Sequence, residues 1–210
     1  MKIYNWKEKT NQEEIKEIKK VIEENGLIIF PTETVYGIAA SALSKKAIDK
    51  LYKAKKRPRE KAINIMVSDK KEIEKYANIN SKIERKIIDK YMPGEITIIL
   101  EKKNDFGKSF TLPDNTIGIR IPNNSIALKI IKELKIPLIV SSANISGMES
   151  GKNPKEIEKF FNKSVDILID GGIIEKGVPS TIIKVENDKI EILREGKITK
   201  KEIENSIKEC

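Results

Sequence analysis

Apolar residues recur along this chain at two spacings. Ile15, Ile18 and Ile22 fall at helical intervals. Thr10 and Glu13 just ahead of them have the spacing of a capping box, and Gly26 marks the helix end. Residues 27–30 (LIIF) form a short unbroken apolar run, the pattern of a strand covered on both faces. Ser44 precedes a second helical stretch that turns Ile48, Leu51 and Tyr52 inward. Residues 63–67 read as a strand. Ser81 and Glu84 repeat the capping-box spacing and open a helix that stops before Pro93-Gly94.

The same reading gives strands at 95–101, 117–121, 137–141, 165–170, 181–185 and 190–193. Helices are predicted at 125–135 and 154–161, and a last one opens at Thr199-x-x-Glu202. Residues 102–115 (KKNDFGKSFTLPDN) read as a mobile loop. Helices and strands in alternation predict one mixed α/β domain over residues 1–210.

Composition narrows the chemistry. The 210 residues include no histidine, which excludes a Ser-His-Asp triad, a Cys-His pair and any His-ligated metal site. One cysteine, Cys210, builds no disulfide framework and no zinc site, so a reducing cytoplasm is the expected compartment. No apolar run reaches the ~18 residues that a membrane span needs. The net charge of +9 suits an anionic partner, yet Lys and Ile are both in great excess, which also fits a general compositional bias. Chemistry then falls to Lys, Arg, hydroxyls, amides, carboxylates or a metal carried by a substrate.

Several polar clusters follow apolar strands. Residues 31–37 (PTETVYG) bring two Thr hydroxyls, a carboxylate and a phenol to a strand's carboxyl end, where ligands bind in open α/β sheets, or form an ordinary turn. Residues 53–61 (KAKKRPREK) end a helix; the cations suit the helix dipole, and Arg57 with Lys55 also suits a polyphosphate. Residues 141–147 (SSANISG) offer small hydroxyl donors, or an ordinary helix cap and turn. Residues 179–181 (PST) and 193–196 (LREG) are weak singly. Neither a P-loop nor a dinucleotide fingerprint occurs.

Taken in order, six motifs make the chain resemble the YrdC-like threonylcarbamoyl-AMP synthase family. They are PTETVYG at 31–37, KKRP at 55–58, TIGIRIP at 116–122, SANISG at 142–147, STII at 180–183 and LREG at 193–196. The resemblance runs from about residue 12 to residue 200. It implies a twisted open sheet flanked by helices, with a concave, positively charged cleft, and the short form of the family. It also implies the activity: L-threonine, bicarbonate and ATP give threonylcarbamoyl-AMP and pyrophosphate. The product would feed a downstream threonylcarbamoyl-transferase complex that modifies tRNA.

The resemblance places residues too. Lys55 and Arg57 are the catalytic candidates on the phosphates, with Lys61 nearby. Thr116, Ser142, Asn144, Ser150 and Arg194 match nucleotide positions. Thr34, Tyr36, Met66, Arg120, Ser141 and Ser180 match the threonine side, with Arg120 for the carboxylate. Mg2+ would arrive with ATP. The chain departs from the family at Ala62-Ile63, where Pro-Leu is common, at Met66, where a His is common, and at Ser141, where many members have Thr. Two further readings stand beside the synthase: a tRNA or double-stranded RNA-binding module without catalysis, and a carbamoyltransferase-type domain.

Overall fold

In the computed structural model the described residues are 1–7, 10–103, 106, 115–175 and 177–208. The loop expected at 102–115 lies mostly outside them, as does Cys210. Among the described residues the elements run in chain order β1 (Lys2–Asn5), α1 (Gln12–Glu23), β2 (Ile28–Phe30), β3 (Gly37–Ser41), α2 (Lys45–Lys55) and β4 (Asn64–Met66). Next come α3 (Lys70–Tyr76), β5 (Ala77–Asn78), α4 (Lys82–Tyr91), β6 (Ile96–Lys102), β7 (Thr116–Arg120) and α5 (Ser125–Leu134). The last are β8 (Leu138–Ser142), α6 (Pro154–Phe161), β9 (Ile167–Asp170), β10 (Thr181–Glu186), β11 (Lys189–Arg194) and α7 (Lys200–Lys208).

All these strands join one mixed sheet in the order β1-β9-β2-β3-β8-β4-β7-β6-β10-β11, with β5 beside β6. Helix starts follow the polar signals. Ser44 Oγ accepts from Ala47 N, and Ser81 with Glu84 forms a reciprocal capping box. Thr199 and Glu202 do the same, with the Thr199 amide donating to Glu202 at 2.7 Å. The first helix corrects the reading: its cap is Asn11, whose Oδ1 accepts from Glu13 N at 2.9 Å. Thr10 is used elsewhere, as its hydroxyl accepts from Lys129 Nζ at 2.6 Å.

Alternating strand residues feed two cores. Ile29, Ile38, Ile65, Ile98, Ile119 and Ile139 face α2, α4 and α6, packing with Ile48, Leu51, Ile87 and Phe161. Ile28, Phe30, Ala39, Leu138 and Ile169 face the other way, onto α1 and α5. Those two helices cover that second face only over the β1 to β8 half, with Met66 of β4 as the last contributor. Beyond it the face of β4, β7, β6 and β10 carries no helix from this core, and it presents Asn64, Arg120, Thr97 and Ile182 to a cavity. This half-covered face is the concave cleft.

Candidate functional site

The cavity on the open face measures about 160 Å³. Of the residues singled out from sequence it gathers Thr34, Tyr36, Arg57, Met66, Arg120, Ser141, Ser142, Ser180 and Arg194. Among the described residues no carboxylate lines it, whereas three arginines do.

Each arginine is aimed by a short chain of contacts. Arg120 ends β7, paired in register with Met66. Its Nε donates to Gly94 O at 3.0 Å and its Nη1 to Thr34 Oγ1 at 3.0 Å. Nη2 lies 2.9 Å from Glu33 Oε1, yet no well-directed hydrogen bond forms there, so Nη2 keeps donor capacity. Arg57 follows the turn that ends α2, where Lys56 takes the left-handed conformation at φ 50°. Its Nε and Nη2 donate to the carbonyls of Lys61 and Ala62 at 3.0 and 2.7 Å, which ties the 57–62 loop to its own side chain. Arg194 ends β11 and donates to Ser180 O, at 2.8 Å from Nη2, and to Ser180 Oγ at 3.1 Å. Burial, and then the charges of Arg120 and Arg57, hold the Arg194 guanidinium below its usual range. Burial also lowers Arg57.

The hydroxyls form a second layer. Thr32 Oγ1 lies 2.9 Å from Thr34 Oγ1 and bonds Val35 O at 2.7 Å, which folds the 31–36 segment into a buried turn. Thr97 Oγ1 and Ser180 Oγ are 2.9 Å apart across β6 and β10. Tyr36 is fully buried. Its hydroxyl donates to Gly172 O at 2.6 Å and accepts from Gly171 N at 3.0 Å, so the phenol clamps the turn after β9. Burial pushes that phenol's pKa well up.

Five expected residues lie outside this cavity. Lys55 is 1% exposed, and its ammonium points behind the wall. It donates to Ser142 O, to Asn144 O at 2.7 Å and to Asn144 Oδ1 at 3.2 Å. Ser146 N returns a bond to Lys55 O at 2.9 Å. Burial, and then Arg57, lowers the Lys55 pKa to about 7. Asn144 and Ser150 line a neighbouring hollow of about 180 Å³ with Met148, Lys152 and Phe160. The bond from Ser142 Oγ to Asn144 Oδ1, 2.5 Å, links the two hollows. Lys61 is exposed on the 57–62 loop. Thr116 starts β7, four residues from Arg120, and lines a separate hollow with Asn80 and Lys184.

Asn64 and Thr97 also line the cavity, and the sequence reading did not single them out. Strand alternation held the signal for Asn64, because it sits two residues before Met66 on one strand. Among the described residues no group of three or more acidic or thiol side chains is placed to hold a metal, and no helix is long and apolar enough to cross a membrane.

A mixed α/β sheet with a half-covered face, lined by arginines and small hydroxyls, defines an α/β protein with a basic pocket. Comparison with known proteins makes this specific. The family model Sua5/YciO/YrdC, described as telomere recombination, matches residues 20–196. A protein of Methanocaldococcus jannaschii, provisionally named threonylcarbamoyl-AMP synthase, is 46% identical over 90% of this chain and 89% of its own length. The threonylcarbamoyl-AMP synthase of Bacillus subtilis is 32% identical over 93% of this chain, which spans 57% of that longer protein. The crystal structure of Pyrococcus abyssi Sua5 complexed with L-threonine superposes with a TM-score of 0.93 at 31% identity, covering 99% of this chain and 61% of that one. Escherichia coli YciO, at 24% identity and a TM-score of 0.86 over 96% of this chain and 98% of its own, shares the fold. The chain belongs to the Sua5/YciO/YrdC family.

Proposed function

We infer that this protein is a threonylcarbamoyl-AMP synthase, condensing L-threonine, bicarbonate and ATP and releasing pyrophosphate. The observation that carries this is the convergence of Arg57, Arg120 and Arg194 on one cavity with no carboxylate among the described residues of its wall. The superposition on a Sua5 complexed with L-threonine supports the amino-acid side of the reading.

The chemistry fits a chain without histidine. The threonine amine attacks the carbon of bicarbonate, a C–O bond breaks, and a carbamate forms with loss of water. A carbamate oxygen attacks the α-phosphorus of ATP, the bond to the bridging oxygen breaks, and pyrophosphate leaves with its electron pair. Nucleophile and leaving group are both anions, so the protein supplies alignment and positive charge and no covalent nucleophile. Arg120 takes the threonine carboxylate through Nη2, with Thr34 holding its Nη1 edge. Arg57 and Arg194 take phosphate oxygens, with Lys61 at the rim. Ser142, Asn144 and Ser150 carry the nucleoside side through the adjoining hollow. Mg2+ enters as part of the ATP substrate. Residues 1–210 act as one domain in the cytoplasm, and the product supplies tRNA threonylcarbamoylation by a downstream transferase.

The test is pyrophosphate release from ATP with threonine and bicarbonate each present or withheld. Release that needs both supports the reading. Release indifferent to threonine refutes it, and binding of double-stranded RNA without turnover would favour the RNA-binding module.

A further inference from the structure

Almost every polar side chain in the cavity wall is already engaged: Thr32 with Thr34, Thr34 with Arg120, Thr97 with Ser180, Ser142 with Asn144, and Arg57 and Arg194 with backbone carbonyls. Apart from Arg120 Nη2, the described wall residues whose polar side chains make no hydrogen bond at all are Asn64 and Ser141. A carboxamide has two N–H donors and an acceptor oxygen, so a half-buried one left unpaired is costly and is informative.

The place of Asn64 is built, not incidental. The pairing of Ile65 with Ile119 and of Met66 with Arg120 sets Asn64 beside Gly118 on β7. A Cβ on Gly118 would stand 2.1 Å from Asn64 Oδ1 and 2.7 Å from its Cγ. Gly118 has ordinary strand backbone, so glycine is required here for space, and the Asn64 carboxamide lies across the gap it leaves. On the other side Asn64 pairs with Val140, whose side chain meets the same cavity, and Met66 lies two residues along the same face. An uncharged group that both donates and accepts, set beside Val140 and Met66, matches a side chain that carries one hydroxyl and one methyl.

We propose that Asn64, seated over Gly118, is the residue that selects the side chain of the amino-acid substrate, hydrogen-bonding its hydroxyl while Val140 and Met66 take its methyl. This rests on the synthase reading above and adds its specificity determinant. Arg120 and the serines handle the charged end, and Asn64 reads the neutral end one pleat away.

The test is calorimetric titration of L-threonine and L-valine, with ATP present, into the wild type, Asn64→Leu and Gly118→Ala. The wild type should prefer threonine. Asn64→Leu should weaken threonine binding about tenfold and leave valine unchanged, so the preference collapses. Gly118→Ala keeps the amide but pushes it off its seat, and should lose the same preference. Retention of the threonine preference in Asn64→Leu overturns the assignment. Equal weakening of threonine and valine also overturns it, because the amide would then touch the charged end. Failure of the wild type to bind threonine at all refutes the synthase reading itself.

Discussion

Replacing Lys55 by Met removes a buried ammonium and keeps an unbranched chain in its place. The unfolded chain holds the lysine proton up to the ordinary pKa of 10.5, and the folded chain holds it only to about 7, because burial and then Arg57 penalise the charge. Between those values the unfolded state binds more protons, so stability rises with pH, by at most about 1.36 kcal/mol per unit. Below about 7 both states are charged and the full cost of burial is present. From about pH 7 to about pH 9 this one group adds about 2–3 kcal/mol to the wild type and nothing to the variant.

Urea unfolding of both proteins between about pH 6 and about pH 9 isolates the effect, since the difference at each pH cancels every other titration. The wild-type advantage over Lys55→Met should climb by that amount, starting near neutrality. A difference that stays flat with pH refutes the reasoning. It would mean that the oxygens of Ser142 and Asn144, which face the ammonium, keep it charged throughout. Catalysis should move the opposite way. A neutral amine has one donor fewer for those three oxygens, so the 142–146 loop loosens as pH rises.

Arg57→Ala should abolish pyrophosphate release with an unchanged circular dichroism spectrum, since a charge-assisted phosphate contact is worth roughly 1.5–3 kcal/mol before any transition-state effect. Met66→His should tighten threonine binding by calorimetry, mainly above the imidazole pKa of about 6.5, because an imidazolium would stand beside Arg120. Ser81→Ala should lower stability by about 1 kcal/mol in urea unfolding without touching turnover, as it removes half of the α4 capping box and does not line the arginine cavity. Saturating ATP should raise the melting temperature by roughly 5–10 °C at about 100-fold its Kd, since only the folded state gathers the three guanidiniums.

Local signals carried much of the fold. Ser44, Ser81 and Thr199 cap the helices they were expected to cap, because capping is settled within four residues. Asn11 displaced Thr10 through a contact with Lys129, more than a hundred residues away, which no local pattern contains. The strand of residues 37–41 (GIAAS) was missed, since its Gly and Ala residues show no β preference and its burial comes from elements remote in sequence, β8 beside it and helices on its faces. Strand order was equally hidden: β9 lies between β1 and β2, and β8 between β3 and β4. At the site, nine of the residues named from sequence line one cavity. Lys55 looked like a phosphate ligand because it shares the basic run with Arg57. Yet the two lie on either side of a left-handed turn at Lys56, and the turn sends one behind the wall and the other onto it.

That division of labour accounts for a site that works without histidine. Burial holds Arg57 and Arg194 below their usual range, and for Arg194 the neighbouring charges of Arg120 and Arg57 add to it. Glu33 touches Arg120 but sits outside the wall, so it relieves one charge and leaves the others for a ligand. An anion entering this cavity removes repulsion as well as making contacts, and a transition state that spreads charge over phosphate oxygens gains more than the ground state does. None of the three guanidiniums needs to lose or gain a proton for this. The pH sensitivity of such a site then comes from Lys55, which fixes the carbonyls of Ser142 and Asn144 and, with them, the hydroxyl edge of the cavity.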